Sequence, residues 1–473
     1  MSIARQQHAA IAKLTLLLSL VPLLLAPLPA LGEPAAAAKA AGYPLTFRFD
    51  EDYSYLADPS LRTDAWDPIK YIPLDAAGRT YLSFGGEWRE RYEHTKGYLF
   101  NPDPDDVLMH RLMFSADLHI GSSLRSFVQL AYLDQSGRDG GPNGTDVDRF
   151  DFQQAFVDLA GPLGNDDRAT VRVGRQEMTY GSSRYVSVRE GPNSRRSFDG
   201  VRAMYRSANF DVDGFLVEPV LIKRGAFDDE ANSDISFWGA YSVSRLAPAR
   251  NIDLYYFGID YDRSTYVVGT APETRHTLGA RFWGKSGQLD YNIETVYQFG
   301  RFGNLDISAW GIAADAGWTL SSLPFKPRLG IKANIESGDK DRNDGTLGTL
   351  NPLFPNHAYF SEAAVGAPMN DVDFQPNITF YLAEGVTFTA GYDFFWRQSR
   401  QDTVYTAGLL PIAGIAGQGD RYVGSLVTTH LKWRVNRHVE LNFDYTHFDP
   451  SDTLEAANMD PIDFAMASVA YKF

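Results

Sequence analysis

The chain repeats one pattern over most of its length, namely segments of about ten residues in which apolar and polar side chains alternate. In the segment 111–120 (RLMFSADLHI), every second residue from Leu112 to Ile120 is apolar, and the residues between them include Arg111 and Asp117. We count eighteen such segments from residue 81 onward. A period of two puts alternate side chains on opposite faces of a β-strand, so the pattern predicts strands whose two faces meet different surroundings.

The chemistry of the two faces indicates what those surroundings are. One face carries strong charges and the other is apolar throughout, which is the reverse of a soluble barrel with a packed apolar interior. A sheet that closes on itself also leaves no unpaired backbone groups exposed to lipid. The sequence therefore predicts an all-β fold, a transmembrane antiparallel β-barrel of about 18 strands formed by residues 81–473 and enclosing water.

Short and long connections alternate between the segments, as they do in outer-membrane barrels. The long polar connections are 95–108, 135–148, 181–197, 221–233, 262–274, 337–374, 396–423 and 448–461. Short connections, such as 121–122 and 436–438, fall between them. This alternation predicts that the short turns and both termini face the periplasm and that the long loops lie outside the cell.

The start of the chain has the features of an export signal. A basic beginning is followed by an apolar run over 14–28 and by a small-residue site that ends at about Gly32. Residues 1–32 are therefore predicted to be a signal peptide. Residues 33–80, an Ala-rich tether followed by a stretch rich in Asp, Pro and aromatic residues, are predicted to be a periplasmic N-terminal extension that either stays outside the barrel or folds into its mouth.

The last residue, Phe473, ends a strand pattern in which Tyr471, Val469 and Ala467 stand at every second position. This pattern is similar to the C-terminal targeting strand of bacterial outer-membrane barrels. Together with the export signal, it predicts a location in the bacterial outer membrane, contact with its lipid and lipopolysaccharide, and recognition by the assembly machinery through Phe473.

Composition narrows the range of partners. A net charge of −15 argues against nucleic acid as a partner. The exported chain has no cysteine, so its stability does not rest on disulfides. No cofactor is predicted. The stretch GDKDRNDG (338–345) has the one-three-five spacing of a calcium loop, but Gly345 comes one place late and the twelfth position is Leu350, so we interpret it as a solvated acidic loop without a metal.

Basic charge is concentrated between residues 172 and 206. This stretch contains eight arginines and three acidic residues, which gives a local net charge of +5. They are Arg172, Arg175, Arg184, Arg189, Arg195, Arg196, Arg202 and Arg206. Strand parity turns Arg172, Arg202 and Arg206 toward the lumen. Arg175 has the opposite parity, so either the strand has left the hydrocarbon there or Gly174 carries a bulge that resets the faces, and we favour the bulge.

The loop 181–197, which carries Arg189, Arg195 and Arg196, has two possible positions. In solvent, its arginines would bind lipopolysaccharide phosphates, whereas folded inward they would narrow the channel. A barrel of this size needs a constriction to be selective. Guanidinium groups suit that task, because they stay charged and donate paired hydrogen bonds to carboxylates and phosphates.

Other strands also turn basic side chains inward. By parity these are Arg89, Arg91, Arg111, Arg281, Arg328, Lys332, Arg397, Lys432 and Arg434. Inward acidic residues, Asp158, Asp290 and Glu294 among them, are about as numerous. The lumen as a whole is thus nearly balanced, and the basic side chains either line the pore or pair with acids across neighbouring strands.

Three regions resemble the alginate export family of outer-membrane porins. They are DAWDPIKYIPL (64–74) with YLSFGGEWRERYE (81–93), VRVGRQEMTYG (171–181) with REGPNSRRSFDGVR (189–202), and FFWRQSRQDTVYTAGLL (394–410). The resemblance implies a monomeric eighteen-stranded barrel whose arginine-lined constriction passes an anionic polyuronate out of the cell. It also implies that Arg175 of the GRQ stretch, Arg397 of the FWR stretch, and Arg89 and Arg91 line the pore.

Two points set this chain apart from the alginate exporters proper. Those proteins have a long periplasmic turn that acts as a plug, whereas the corresponding turn here is only VNRH (435–438). The family also has members found without an alginate pathway. The expected function is therefore an outer-membrane channel for passive diffusion or export of an anionic solute, such as the polyuronate alginate. The alternative is a general or substrate-specific porin for another small anionic or sugar-like solute.

A barrel enzyme and an adhesin are the competing classes. An enzyme needs a nucleophile or an activated water beside a base. His430, His438 and His447 are close in sequence, but they have neither the HExxH spacing nor a matching Ser or Asp pattern. We therefore do not expect an enzyme. An adhesin would have a blocked lumen.

Overall fold

The computed structural model describes residues 47–97, 103–164, 167–247, 249–356 and 358–473, and the predicted signal peptide lies outside them. Eighteen long strands dominate the described chain. They are β1 (Thr80–Lys96), β2 (Asp105–Ile120), β3 (Leu124–Ser136), β4 (Asp148–Pro162), β5 (Arg168–Gln176), β6 (Phe198–Arg206), β7 (Phe210–Leu221), β8 (Ile235–Ala247), β9 (Arg250–Tyr266), β10 (Gly269–Ser286), β11 (Leu289–Phe302), β12 (Leu305–Thr319), β13 (Arg328–Glu336), β14 (Asp371–Ala383), β15 (Val386–Arg397), β16 (Tyr422–Arg434), β17 (Val439–Pro450) and β18 (Ile462–Lys472).

Each long strand pairs antiparallel with the next, and the last pairs with the first. The closing register runs from Glu87 opposite Lys472 to Lys96 opposite Asp463. Beyond it, the backbones of Phe473 and Gly86 exchange two hydrogen bonds of 3.0 Å. The prediction of an all-β, closed antiparallel barrel of eighteen strands is confirmed.

The remaining elements are short. Two-residue strands occur at Ile72–Pro73, Glu230–Ala231 and Thr346–Leu347, single α-turns at Asp67–Lys70 and Asp452–Glu455, and 3₁₀ turns at Arg48–Asp50, Ser54–Ala57 and Pro59–Leu61. Among the described residues, none of the helices has the length and apolar character needed to cross a membrane.

The two faces of the barrel wall differ as the alternation predicts. Outward side chains are apolar and open, with Leu216 63% and Phe114 47% exposed. Inward side chains such as Arg111 and Gln298 are at most 1% exposed. The outer face is therefore suited to lipid, and the buried inner face indicates that other parts of the chain fill much of the lumen.

One sector of the inner wall is aromatic rather than charged. Phe215, Phe237, Tyr241, Tyr255 and Phe257 project inward from β7, β8 and β9 and form a buried cluster. The alternating pattern predicts a polar interior throughout. The difference has a physical reason, because these rings pack against loop residues inserted into the lumen and so are shielded from water.

The ends of the barrel differ in the length of their connections. We call the end with 121–123, 207–209, 384–385 and 435–438 the short-turn end, and the opposite one the long-loop end. The prediction of a long connection at 262–274 is wrong, because β9 and β10 extend through these residues and are joined only by residues 267 and 268. Tyr266 at the tip of this hairpin is 3% exposed and packs with Leu347 and Tyr405, and this contact stabilises the extended hairpin.

The strand pair β4–β5 is continuous through Gly174. Val173, Gly174 and Arg175 pair in unbroken register with residues of β4, so the bulge that we favoured is wrong. Gly174 has φ 125° and lies opposite Gly200 of β6, which has φ 152°. A Cβ atom at Gly174 would lie 2.3 Å from the carbonyl oxygen of Ala155. Glycine is therefore needed here for both conformation and close approach.

We expect Gly174→Ala to lower the free energy of unfolding by about 1–3 kcal/mol, because it combines an unfavourable φ with a backbone clash. Gly214→Ala on β7 is the matched control, since its new methyl group would meet only the Gly239 carbonyl oxygen at 3.9 Å. Urea unfolding of the refolded barrels, followed by tryptophan fluorescence, measures both. Equal losses for the two variants would contradict this account.

Candidate functional site in the barrel lumen

The loop between β5 and β6, residues 177–197, folds into the lumen. Tyr180 stacks on Tyr241 of the inner wall, with ring centroids 4.7 Å apart. Ser187 donates a backbone hydrogen bond of 2.9 Å to Phe354 of another inserted loop. The sequence left open whether this loop stands in solvent or folds into the lumen. In the structure it lies inside the barrel.

Polar contacts hold the opposite side of this loop against the wall. Arg89 of β1 donates hydrogen bonds of 3.0 Å to the carbonyl oxygens of Glu190 and Pro192. The buried amide of Asn193 donates to three carbonyl oxygens, of which the one of Asp146 is 2.9 Å away. The loop is thus fixed on both sides, by rings and by hydrogen bonds.

A second loop, residues 337–370, enters the lumen beside the first. Its Glu362 accepts from Arg91 of β1 at 2.8 Å. Its Tyr359 accepts from Arg184 of the first loop at 3.0 Å. The two loops therefore contact each other as well as the wall, and together they narrow the bore.

The N-terminal segment enters from the short-turn end. The ring of Phe49 lies 6.1 Å from Phe127 of β3 and 5.7 Å from Phe156 of β4, both on the inner wall. The guanidinium of Arg172 lies 4.5 Å over the same ring. The sequence left open whether this segment stays outside the barrel or folds into its mouth. In the structure, its described part lies inside the mouth.

Open space remains on both sides of the inserted loops. A cavity of about 290 Å³ on the long-loop side is lined by Arg91, Arg138, Pro192 and Glu362 among others. A second cavity, of about 230 Å³, lies at the short-turn end beside Arg172.

Four of the eight arginines of the basic stretch are paired with carboxylates of the neighbouring strands. The Nε of Arg172 lies 2.7 Å from Asp158. Arg202 and Arg206 share Asp213, and the Nε of Arg202 is 2.9 Å from it. These pairs neutralise charge within the wall.

Two loop carboxylates neutralise further arginines. Glu190 pairs with Arg111 and, at 3.1 Å, with Arg195, which also lies 2.8 Å from Glu177. Burial alone would raise the pKa of Glu190, but the guanidiniums of Arg111, Arg195 and Arg89 outweigh it and hold that pKa well below its usual range. In the same way Arg184 pairs with Glu294 at 3.0 Å.

Arg189 and Arg196 differ from the other six arginines. Within the described part of the chain, no carboxylate lies at ion-pair distance from either. Arg196 donates only to carbonyl oxygens, at 3.1 Å to Ser187, and lies 5.1 Å over the Phe354 ring. Burial lowers the pKa of Arg189 to about 10, and burial and the charge of Arg189 lower that of Arg196. Two adjacent, half-buried cations thus lack a counter-charge.

The local backbone explains how these two side chains come together. Arg189 adopts a left-handed conformation with φ 58°, and its N–H donates to the Ser187 side chain at 3.0 Å. The Arg196 N–H donates to the Val188 carbonyl oxygen at 2.7 Å. Gly191 and Pro192 form the tip between them, so the chain turns back and brings residue 196 beside 189.

Two residues expected to line the pore do not lie there. Arg175 shares its parity with the exposed Val171 and Val173 and pairs with Asp199 at 2.9 Å, so it belongs to the outer face beyond the hydrocarbon. Arg397 faces inward but is 1% exposed, and it donates to backbone carbonyl oxygens of the loop 398–421, including Ile415 at 2.9 Å. The alternation of β5 and the folding of that loop explain both corrections.

The other inward bases also have partners. Lys432 and Arg434 lie 2.9 and 3.5 Å from Glu440 near the short-turn end. Arg281 pairs with Asp253 at 2.8 Å, Arg328 with Asp290 at 2.6 Å, and Lys332 donates to the Tyr359 carbonyl oxygen at 2.7 Å. Most of these inward basic side chains therefore pair with acidic residues of the wall, and they do not form a uniform lining of free cations.

Sequence reasoning did not identify three residues that shape this site. Asp213 had a usable signal, because it has inward parity within β7 and lies diagonally across from Arg202 of the preceding strand, to which it is bonded. Glu362 and Phe49 had none, since each lies outside the regular strands and meets its partner only after its segment enters the barrel.

Comparisons with known proteins agree with this architecture. The family model for alginate export matches residues 80–468. Among solved structures, Pseudomonas aeruginosa OpdO is 11% identical (TM-score 0.55, covering 83% of this chain and 97% of that one), and Acinetobacter baumannii OccAB1 is also 11% identical (0.56, 83% and 96%). Pseudomonas aeruginosa OccK2 (OpdF) in complex with glucuronate is 10% identical (0.54, 85% and 98%). The comparison with curated proteins found no match.

We expect the double substitution Phe47→Ala and Phe49→Ala to raise single-channel conductance in planar bilayers. Truncating the buried Phe49 alone removes about 3–5 kcal/mol of packing, which would release the N-terminal segment from the short-turn mouth. Leu74→Ala, at a side chain 55% exposed in the same segment, is the control and should leave conductance unchanged. Wild-type conductance in the double variant would show that this segment does not limit the current.

Proposed function

The chain belongs to the alginate export family of outer-membrane channels, and we propose that it carries an anionic, sugar-like solute past Arg189 and Arg196. A polyuronate such as alginate is the solute that the family favours. The single observation behind the proposal is that these two arginines, in a loop folded into the lumen, have no carboxylate partner among the described residues.

The chemistry of the pair suits a carboxylate. A guanidinium stays protonated in water and donates two parallel hydrogen bonds to the oxygens of one carboxylate. Arg196 is held over the Phe354 ring, so little further ordering is needed when an anion arrives. The paired arginines nearby offer no such attraction, because their donors are already directed at protein carboxylates.

The dimensions of the lumen bear on the kind of solute. Two loops and the N-terminal segment occupy it, so a single extended chain or a small molecule fits the remaining space better than a bulky polymer does. The glucuronate complex of OccK2 concerns a uronate in a barrel of the same fold. We therefore keep passive diffusion of another small anionic or sugar-like solute as the second candidate.

A channel is also a better proposal than an enzyme. The three histidines close in sequence form separate pairs with three different aspartates: His430 with Asp444, His438 with Asp64 and His447 with Asp463. Two of these pairs lie on the wall and the third joins the turn 435–438 to the N-terminal segment, so they do not make one reactive centre. An adhesin with a blocked lumen is a weaker proposal, because cavities are present on both sides of the inserted loops.

Three further proposals concern partners. We propose that the protein acts as a monomer, that its outer face contacts membrane lipid and lipopolysaccharide, and that the assembly machinery recognises the strand ending at Phe473. In the folded barrel the Phe473 ring stacks on Trp66 at 4.1 Å, so such recognition would precede docking of the N-terminal segment.

Replacing Arg189 and Arg196 together by Ala should lower the anion-to-cation permeability ratio by about threefold or more, because uncompensated charge concentrates counter-ions in a narrow, low-dielectric passage. Reversal potentials across a salt gradient in planar bilayers measure this ratio. Arg263→Ala with Arg301→Ala removes the same charge from exposed side chains of β9 and β11 and is the control. Equal shifts for both double variants would place the selectivity outside the loop.

The solute class can be tested by current block. Oligomers of a uronic acid should interrupt the wild-type current more often than neutral oligosaccharides of equal length, and the Arg189→Ala, Arg196→Ala variant should lose most of that difference. Block by a uronate monomer but not by its oligomers would favour the small-solute porin. An equal response to charged and neutral sugars would argue against both.

A further inference from the structure

Three carboxylates meet at the base of the second inserted loop. Glu336 is the last residue of β13, Asp371 is the first of β14, and Asp373 follows on the same face. One carboxylate oxygen from each lies within 4.8 Å of the others. All three side chains are buried, with Glu336 and Asp373 2% exposed and Asp371 7%.

These carboxylates are poorly satisfied by the protein. One oxygen of each, Glu336 Oε2, Asp371 Oδ2 and Asp373 Oδ1, is buried and has no hydrogen-bond partner in the described structure. Asp393 of β15 acts on Asp371 as a further like charge and also has an unpartnered oxygen. Buried carboxylates need cations or hydrogen-bond donors, so an additional group is required here.

Lys332 and Arg184 are the basic side chains that act on the cluster, but neither donates a hydrogen bond to its unpartnered oxygens. Lys332 donates to the Tyr359 carbonyl oxygen at 2.7 Å and lies 4.1 Å over the Tyr359 ring. Arg184 pairs with Glu294 at 3.0 Å. With Arg184 neutralised by Glu294, the three carboxylates and Asp393 outnumber the one remaining cation, Lys332, between β13 and β15.

We propose that Glu336, Asp371 and Asp373 bind a divalent cation and that its chemistry is that of Ca²⁺. Two oxygens bound to one Ca²⁺ at about 2.4 Å lie at most about 4.8 Å apart, which accommodates the observed cluster. The ligands are all carboxylate oxygens, which suit a hard cation, whereas His or Cys ligands would favour a transition metal. Water would complete the coordination shell.

The position of this site gives the ion a structural effect. Glu336 and Asp371 flank the loop 337–370, whose Tyr359 and Glu362 lie in the lumen beside the arginine-bearing loop. A cation joining its two ends would hold the base of the loop against the wall. The width of the bore would then depend on divalent cations, whichever solute the channel carries.

A second acidic trio, Asp148, Asp151 and Asp229, provides a contrast. Arg175 lies 3.7 Å from Asp151 and 3.9 Å from Asp229. Backbone N–H groups also donate to these carboxylates, at 3.0 Å to Asp151 and 2.6 Å to Asp229. Asp148 has one unpartnered buried oxygen, but the protein already supplies a cation and donors to the other two carboxylates, so this trio is a matched control and not the proposed site.

The test uses the mature protein refolded in detergent without lipopolysaccharide and stripped with EDTA. Equilibrium dialysis with radioactive Ca²⁺ measures binding, and thermal melting measures its effect on stability. The variants are Glu336→Gln with Asp371→Asn and Asp373→Asn, the single Asp373→Asn in case the triple variant does not fold, and the control Asp148→Asn with Asp151→Asn and Asp229→Asn.

We expect wild type and control to bind one Ca²⁺ that the triple variant does not, and Asp373→Asn to bind it at least tenfold more weakly. Ca²⁺ should raise the melting temperature of wild type and control only. In EDTA the triple variant should melt no lower than wild type, because it lacks the repulsion between the carboxylates. No saturable binding by wild type, binding retained by the triple variant, or loss in the control would overturn the proposal.

Discussion

The pairing of β18 with β1 is the constraint on which the rest of the structure depends. A strand in hydrocarbon has no water to bond its N–H and C=O groups, so a sheet in lipid is stable only without an edge. The backbone exchange between Phe473 and Gly86 extends this closure to the last residue. Closure also defines an inside, and charged side chains, inserted loops and an aromatic sector can be buried there without contact with lipid.

Inside that enclosure, charge is organised by neutralisation more than by accumulation. The basic stretch has a local excess of arginine, but Asp158, Asp213 and Glu294, which lie in other strands, pair with four of its members. Other arginines, such as Arg89 and Arg397, bind carbonyl oxygens and fix loops. Paired charges largely cancel at a distance, so the uncompensated charge of this stretch is that of Arg189 and Arg196, which have no carboxylate partner among the described residues.

The lumen is also shaped by which sectors of the wall can hold inserted chain. The aromatic sector formed by β7 to β9 gives loop 177–197 a surface on which Tyr180 stacks. On the opposite side, Arg89 of β1 donates hydrogen bonds to this loop, and Asn193 of the loop donates to the carbonyl oxygen of Asp146. The N-terminal segment uses a third sector, through Phe49. The apolar residues of the inner wall therefore contact inserted chain and not water, so they are compatible with a barrel that contains water elsewhere.

The sequence by itself determined the barrel, its eighteen strands and the orientation of most wall residues, because alternation is a relation between neighbours along the chain. Residues such as Phe114 and Arg111 could be assigned to faces by parity alone. Only the tertiary structure decided that no bulge turns Arg175 inward, that Arg397 holds a loop and that Arg189 and Arg196 are left without carboxylates. Those outcomes depend on partners far apart in sequence, which meet only once the sheet has closed and the loops have folded into it.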